Sequence, residues 1–193
     1  MNKIILTTVA ILSFGFANAQ SREKGTIELT PQIGYANSNF YGDSDIFADP
    51  LTSVTYGVGA DYFFNDRWSL RSGLIMQTMG AVDDFDQELK LQFLTIPVNA
   101  NWHFGSTRKW NLNFGPSIGF LTSAKLESED VKDKINSTEI GLNVGIGYKI
   151  QVSSKFSILI DYQNVSGLNK AFKENSSAKN AFGGFNVGAV LAL

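Results

Sequence analysis

The 193-residue chain has no cysteine, one histidine and four prolines. Without cysteine there is no disulfide, no zinc-thiolate centre and no thiol nucleophile, so an exported chain of this kind holds together by packing and hydrogen bonding alone. The single histidine, His103, has no Ser-His-acid pattern or nucleophile elbow around it, and no catalytic residue, cofactor or metal is expected. Charge is sparse: 16 basic against 18 acidic residues give a net charge of −2, which offers nothing to nucleic acid. Beyond the N-terminus no stretch approaches the roughly 20 consecutive apolar residues of a spanning helix. If the chain sits in a membrane, it does so as a barrel.

What is present begins with a leader. "MNKIILTTVAILSFGFANAQ" carries one early charge, Lys3, then an apolar run from Ile4 to Phe16, then Ala17-Asn18-Ala19. This reads as a cleaved secretory signal over residues 1–19, leaving Gln20 first. An A-x-A site without a cysteine argues against a lipoprotein. Residues 20–25 form a short polar lead-in, and residues 26–193 form one domain. Removing Lys3 leaves 15 basic against 18 acidic residues, a net charge of −3.

That domain alternates apolar and polar residues in eight segments, beginning "TIELTPQIGYAN", "VTYGVGADYFF" and "WSLRSGLIMQT" and ending "FNVGAVLAL". Each is near the roughly nine to eleven residues of a tilted membrane strand. "NDR", "GSTRK" and "VSSK" are short connections. The four others are long and carry most of the charge. Long alternating with short predicts an all-β, eight-stranded antiparallel up-and-down transmembrane β-barrel, with both termini and the short turns on the periplasmic side.

Alternation alone does not say which medium the apolar face meets. A soluble, lipocalin-like barrel would bury it and present charge to water. Here the polar face is rich in Gly, Ser, Thr and Asn, which suits the cramped interior of an eight-stranded barrel. Large aromatics collect at strand ends on the apolar parity. Phe64, Trp68, Phe104, Trp110 and Phe156 predict a periplasmic girdle, and Tyr35, Tyr56, Phe120 and Tyr162 the opposite one. The apolar face is therefore expected to meet lipid.

One segment breaks its own rhythm. In "LQFLTIPVNANWHFG" the apolar residues Leu89, Leu91 and Phe93 fall on one parity and Leu94, Ile96, Val98, Ala100, Trp102 and Phe104 on the other. The change at Phe93–Leu94 predicts a β-bulge. Pro97 then points inward. Folding about "GSTRK" places Phe104 opposite Trp110 and Val98 opposite Pro116, so two prolines share a seam whose pairing must be irregular.

The same residues carry a resemblance. Phe93-Leu94-Thr95-Ile96-Pro97, followed by Gly115-Pro116 in "WNLNFGPSIGFLTSAKLES", resembles the paired strands of the Bacteroidetes-type small outer-membrane β-barrel family, the PorT-like or porin family group. An acidic residue often precedes the Ile-Pro pair in that family, where this chain has Thr95, and it ends in Leu193 rather than an aromatic. The resemblance implies residence in the cell outer membrane and no particular reaction.

Inward parity places Glu28, Asp61, Arg71, Glu139, Lys149 and Asp161 in the lumen, four acids and two bases. They read as a salt-bridge network fixing register or, in the sharper reading, as a narrow cation-preferring path. His103 reads as a hydrogen-bonded lumen residue near the periplasmic mouth. Acidic runs containing Asp43 and Asp45, Asp83, Asp84, Asp86 and Glu88, and Glu127, Glu129, Asp130 and Asp133 read as solvated outer loops, since none has EF-hand spacing. The triplets at Asn136, Asn164 and Asn175 carry no weight. The function expected is a structural or interaction role through the outer loops, linked to a surface or secretion apparatus. The alternatives are a narrow porin-like channel and a soluble periplasmic ligand-binding barrel. Expected partners are outer-membrane lipid and lipopolysaccharide, the barrel assembly machinery, and surface or secretion components, around a monomeric barrel.

Overall fold

The computed structural model describes residues 22–42, 47–173 and 176–193. The expected signal segment and cleavage point, Asp43, Asp45 and Asn175 lie outside the described residues. Alternating β-branched and aromatic residues make nine strands: β1 (Ile27–Tyr41), β2 (Phe47–Phe63), β3 (Trp68–Asp83), β4 (Glu88–Phe104), β5 (Trp110–Leu126), β6 (Glu129–Asp130), β7 (Thr138–Gln151), β8 (Phe156–Gly167) and β9 (Lys179–Ala192). The two-residue β6 and a 3-10 turn, Lys132–Lys134, belong to the connection after β5. The other eight strands pair antiparallel in chain order, and β1 pairs with β9, so the sheet closes on itself and leaves no free edge. The short turns, residues 64–67, 105–109 and 152–155, lie at the end that holds Arg22, the first described residue, and Leu193.

These strands are longer than a membrane crossing needs. The eight barrel strands run from 12 residues in β8 to 17 in β2, β4 and β5, against roughly nine to eleven for a tilted span. The extra length comes from stretches expected as outer loops. The connections β1–β2 and β3–β4 shrink to residues 42–46 and 84–87, and only 127–137 and 168–178 remain long.

The extension explains the break in rhythm. The expected bulge at Phe93–Leu94 is absent: β3 and β4 hold one register from Trp68↔Trp102 to Val82↔Glu88. The irregularity lies on the next strand, where Gln92 faces Ser123 and Phe93 faces Leu121, leaving Thr122 as the extra residue. The chain keeps alternating, and what changes is the medium. Along the lower part of the wall the outward residues are apolar and the inward ones polar. Two residues above the upper aromatics both assignments reverse. Outward, Tyr35 gives way to Asn37, Val54 to Thr52, Phe120 to Thr122, Ile140 to Thr138 and Tyr162 to Asn164. Inward, Ala36, Phe40, Met79, Ala81, Leu89, Leu91, Phe93, Leu121, Ala124, Val165 and Phe182 join one buried apolar cluster. The barrel is thus inside-out where lipid surrounds it and has an ordinary soluble-protein polarity above.

The two long outer connections complete that cluster from above. Val131, Ile135 and Ala171 are buried in it, Phe172 packs against it, and Ile135 and Phe172 bridge the two connections. The Phe40 and Phe172 rings lie 5.2 Å apart. The result is an apolar plug across the outer end.

The prolines leave marks in the ladder. Between β4 and β5 pairing lapses from Pro97↔Ser117 to Ala100↔Phe114, the stretch that puts Val98 beside Pro116. Gly115 allows the strands to close there: a Cβ on it would lie 2.8 Å from Asn99 Cα. Between β1 and β9 the same lapse spans Pro31.

Candidate functional site: the barrel lumen

The inward side chains form layers along the barrel axis. At the periplasmic mouth, Glu28 on β1 accepts from Lys149 on β7 and from Arg22 Nε at 2.9 Å. The Arg22 guanidinium also sits 4.9 Å from the centre of the Phe63 ring. Arg22 belongs to the stretch read from sequence as a polar lead-in. Its contribution changes the lumen count from four acids and two bases to four acids and three.

The next layer is built on Asp61 of β2. Arg71 Nε on β3 donates to Asp61 Oδ2 at 3.0 Å and Arg71 Nη1 reaches Asp161 Oδ2 on β8 at 3.4 Å. Asp61 Oδ1 also accepts from Ser69 at 2.7 Å and Asn101 at 2.8 Å. Asn186 and Gln163 donate to Asp161 at 3.0 and 2.9 Å. Both carboxylates and the guanidinium are buried, and this density of hydrogen bonds offsets the cost of desolvating three charges. Above lies an amide layer, in which Asn99 donates to Asn113 at 2.9 Å and Ser117 to Asn143 at 3.2 Å.

His103, 1 % exposed, places Nε2 3.0 Å from Ser69 Oγ and its ring 4.8 Å from that of Phe63. Ser69 stands between Asp61 and the imidazole. In acyl-transfer sites the imidazole stands between serine and acid, so this trio is arranged to hold the wall, not to activate a nucleophile. Glu139 lies apart from the other lumen charges, under the plug, where Asn180 Nδ2 donates to it at 2.8 Å. Between the Arg71 layer and the plug is a cavity of about 60 Å³ lined by Gln32, Arg71, Gln77, Thr95, Asn143 and Asp161, among others. Pro97 also lines it, which puts that ring inside the barrel. The six lumen charges therefore form two networks and one outlier.

On the outer wall, the lower aromatics make a belt. Trp68, Trp102, Phe104, Trp110 and Tyr148 follow one another with ring centres 4.8–6.3 Å apart, and Tyr62 lies 5.5 Å from Phe64. Phe156 begins β8 at the same end. Trp102, Tyr148 and Tyr62 were legible as lipid-facing but sit one step inside the strand ends where a girdle was sought. At the upper level Tyr35, Tyr56, Phe120 and Tyr162 all face outward, and Phe185, 66 % exposed, joins them with its ring 4.8 Å from Tyr162. Leu94 and Ile96 are outward and half-buried, and Pro116 is exposed.

The acidic outer residues work as local acceptors. Asp83 Oδ1 accepts the N–H groups of Phe85 and Gln87, Asp130 Oδ1 that of Lys132, and Glu127 Oε1 that of Glu88, all at 2.8–2.9 Å. Among the described residues no group of three or more His, Cys, Asp or Glu side chains is placed to hold a metal ion.

A sequence profile of the outer membrane protein beta-barrel domain matches residues 6–191. No curated relative matches the chain. Among solved structures, Neisserial surface protein A superposes with a TM-score of 0.57 at 16% identity, over 86% of this chain and 98% of that one. The outer membrane protein OprG from Pseudomonas aeruginosa superposes at 0.59 with 12% identity, over 91% and 99%. At such identities the likeness establishes the fold alone.

Proposed function

The chain belongs to the outer membrane protein beta-barrel domain family and resides in the outer membrane, and we propose that it acts there as a structural or interaction protein through its outer end, not as an enzyme or an open pore. The observation that carries this reading is the filled lumen: charge layers and amides below, and an apolar plug that takes in Val131, Ile135, Ala171 and Phe172 of the two long connections above. Eight strands enclose little more than their own side chains, so the surface available to partners is the rim above the membrane. That rim is polar outside and packed with apolar side chains inside, which suits a docking surface for surface or secretion components. The apolar wall meets outer-membrane lipid and lipopolysaccharide after delivery by the barrel assembly machinery. With no edge to pair, the barrel acts as a monomer.

The Ile96-Pro97 and Gly115-Pro116 strands support placement in the PorT-like, Bacteroidetes-type group. The soluble ligand-binding alternative falls with the outer-membrane location. The channel alternative draws support from the charged lumen layer and its cavity. Planar-bilayer recording of the purified protein decides between the two. The interaction reading expects no stable single-channel steps. Steps that lose cation preference in an Asp61→Asn, Asp161→Asn variant would overturn it in favour of the channel.

A further inference from the structure

The outward residues at the lipid boundary differ around the barrel. On β2, β3, β4 and β7 they are Val54, Met76, Leu94 and Ile140. On β1, β9 and β8 they are aromatic. The register sets Tyr35 opposite Phe185 and Phe185 opposite Tyr162, so three rings stand side by side on adjacent strands. All three are exposed, and the Tyr162 and Phe185 rings lie 4.8 Å apart. Phe120 on β5, by contrast, stands between Leu94 and Thr138. A girdle that only anchored the wall would spread its rings around the circumference and favour rings with a polar tip, which Phe185 lacks.

The next row up is made of hydroxyl, amide and glycine. Thr52 pairs with Asn37, Asn37 with Gly183 and Gly183 with Asn164, one line directly above the three rings. Thr52 Oγ1 donates to Asn37 Oδ1 at 2.8 Å, which leaves the Asn37 Nδ2 hydrogens available. Gly183 is a notch in this line. A Cβ on it would lie 2.5 Å from Tyr162 Oη and 3.8 Å from Asn164 Nδ2, so the phenol hydroxyl lies across the gap beside the amide. Among the described residues no hydrogen bond reaches the Tyr162 hydroxyl or the Asn164 side-chain amide. The row above, Asn39, Ala181 and Ser166, is uncharged as well. At the same level on the β4–β5 face, Lys90 stands opposite Lys125.

We propose that this patch of β2, β1, β9 and β8 binds the uncharged sugar ring of a glycolipid in the outer leaflet. The C–H face of a pyranose packs on aromatic rings, and its hydroxyls exchange hydrogen bonds with amides, phenols and alcohols. Residues two apart on a strand are separated by roughly 7 Å, so a sugar stacked on Phe185 and Tyr162 brings its hydroxyls to the row of Asn37, Thr52 and Asn164. With no charge in either polar row, the patch has nothing to hold a phosphate or sulfate. Its height selects the source. The three rings top the lipid-facing band, so the sugar that meets them is carried on a lipid anchor in the same leaflet. The proposal rests on outer-membrane residence and on the level of the boundary. It is independent of the choice between docking protein and channel, which the conductance recording decides.

The test places the folded protein in phosphatidylcholine nanodiscs with increasing galactosyl diacylglycerol. Thermal unfolding is read by the gel-mobility shift between folded and unfolded barrel. A ligand that binds only the folded state raises the midpoint in a saturable way. The expected result is a midpoint that rises and saturates with the galactosyl lipid. The half-saturating mole fraction should be severalfold higher in Phe185→Leu and in Asn164→Val, and unchanged in Phe120→Leu, which removes an aromatic at the same level outside the patch. Should a variant fail to fold, the side-chain amide shifts of Asn37 and Asn164 in the unmodified protein carry the test, and they should move with the galactosyl lipid. A midpoint or amide shifts indifferent to that lipid, a half-saturation equal in all three variants, the same rise from phosphatidylglycerol, or the same rise from dissolved methyl galactoside without glycolipid overturns the proposal.

Discussion

Phe93 and Leu94 are consecutive residues of β4 that meet different media: Phe93 is 1 % exposed within the apolar plug, and Leu94 faces outward at the top of the lipid-facing band. Between them the apolar row passes from one face of the strand to the other while the backbone alternates without interruption. The crossing marks the level at which lipid ends. Below it, apolar side chains are stabilised by facing hydrocarbon, and above it by facing one another. Seven of the eight barrel strands show the outward half of this reversal at about the same level.

That boundary has a measurable depth profile. Val144, 49 % exposed near the middle of the lipid-facing stretch of β7, is expected to tolerate charge badly: Val144→Arg should cost about 2–4 kcal/mol. Thr122→Arg, on the outward face above the boundary, should cost less than about 1 kcal/mol. Urea unfolding in lipid bilayers measures both, and equal penalties would contradict the assigned boundary.

Arg71 bridges two carboxylates on opposite sides of the lumen. Arg71→Met keeps much of the bulk but leaves Asp61 and Asp161 without their cation. The expected loss is about 3–5 kcal/mol. A triple variant with both acids changed to Asn as well should recover most of that loss, because no uncompensated charge remains. Equilibrium unfolding of the two variants checks the pair, and failure of the triple variant to recover would mean that packing, not charge, governs this layer.

The proline seam is expected to open locally. The amide of Val98 points to β5 where the β4–β5 ladder lapses opposite Pro116, and it should exchange with deuterium well before those of Trp102 and Leu112, which lie in the intact part of the same ladder. Site-resolved exchange in micelles tests this. Uniformly slow exchange through the hairpin would show that the pairing is complete there.

The plug should carry much of the stability of the outer third. Phe93→Ala removes a fully buried ring from it and is expected to cost about 3–5 kcal/mol. Phe114→Ala, outward in the lipid band at 47 % exposure, leaves no cavity and should cost clearly less. If the plug also seals the lumen, Phe93→Ala is the substitution expected to produce transient conductance in an otherwise silent barrel.

Much of this was legible from the residues. A period of two, the lack of any helical span, small residues on the inward parity and aromatics at the lower strand ends are properties of the chain itself, and they determine an inside-out closed barrel in whatever order its strands pair. The lumen-facing parity of Glu28, Asp61, Arg71, Glu139, Lys149 and Asp161 follows from the same alternation. Partners do not. Which of these charges meet depends on the stagger between strands, which no single segment encodes. Arg22 was overlooked because a lead-in has no parity to read. Strand length was hidden for a related reason. Above the membrane the wall is polar outside, so its residues have the composition of loops, and only the pairing of 38–41 with 179–182 and of 79–82 with 88–91 reveals them as strand. The sequence by itself therefore determined the barrel and the face each residue takes. Only the closed tertiary structure decided where lipid stops, which charges are paired and that the outer end is plugged, because those depend on register and on the medium at each height.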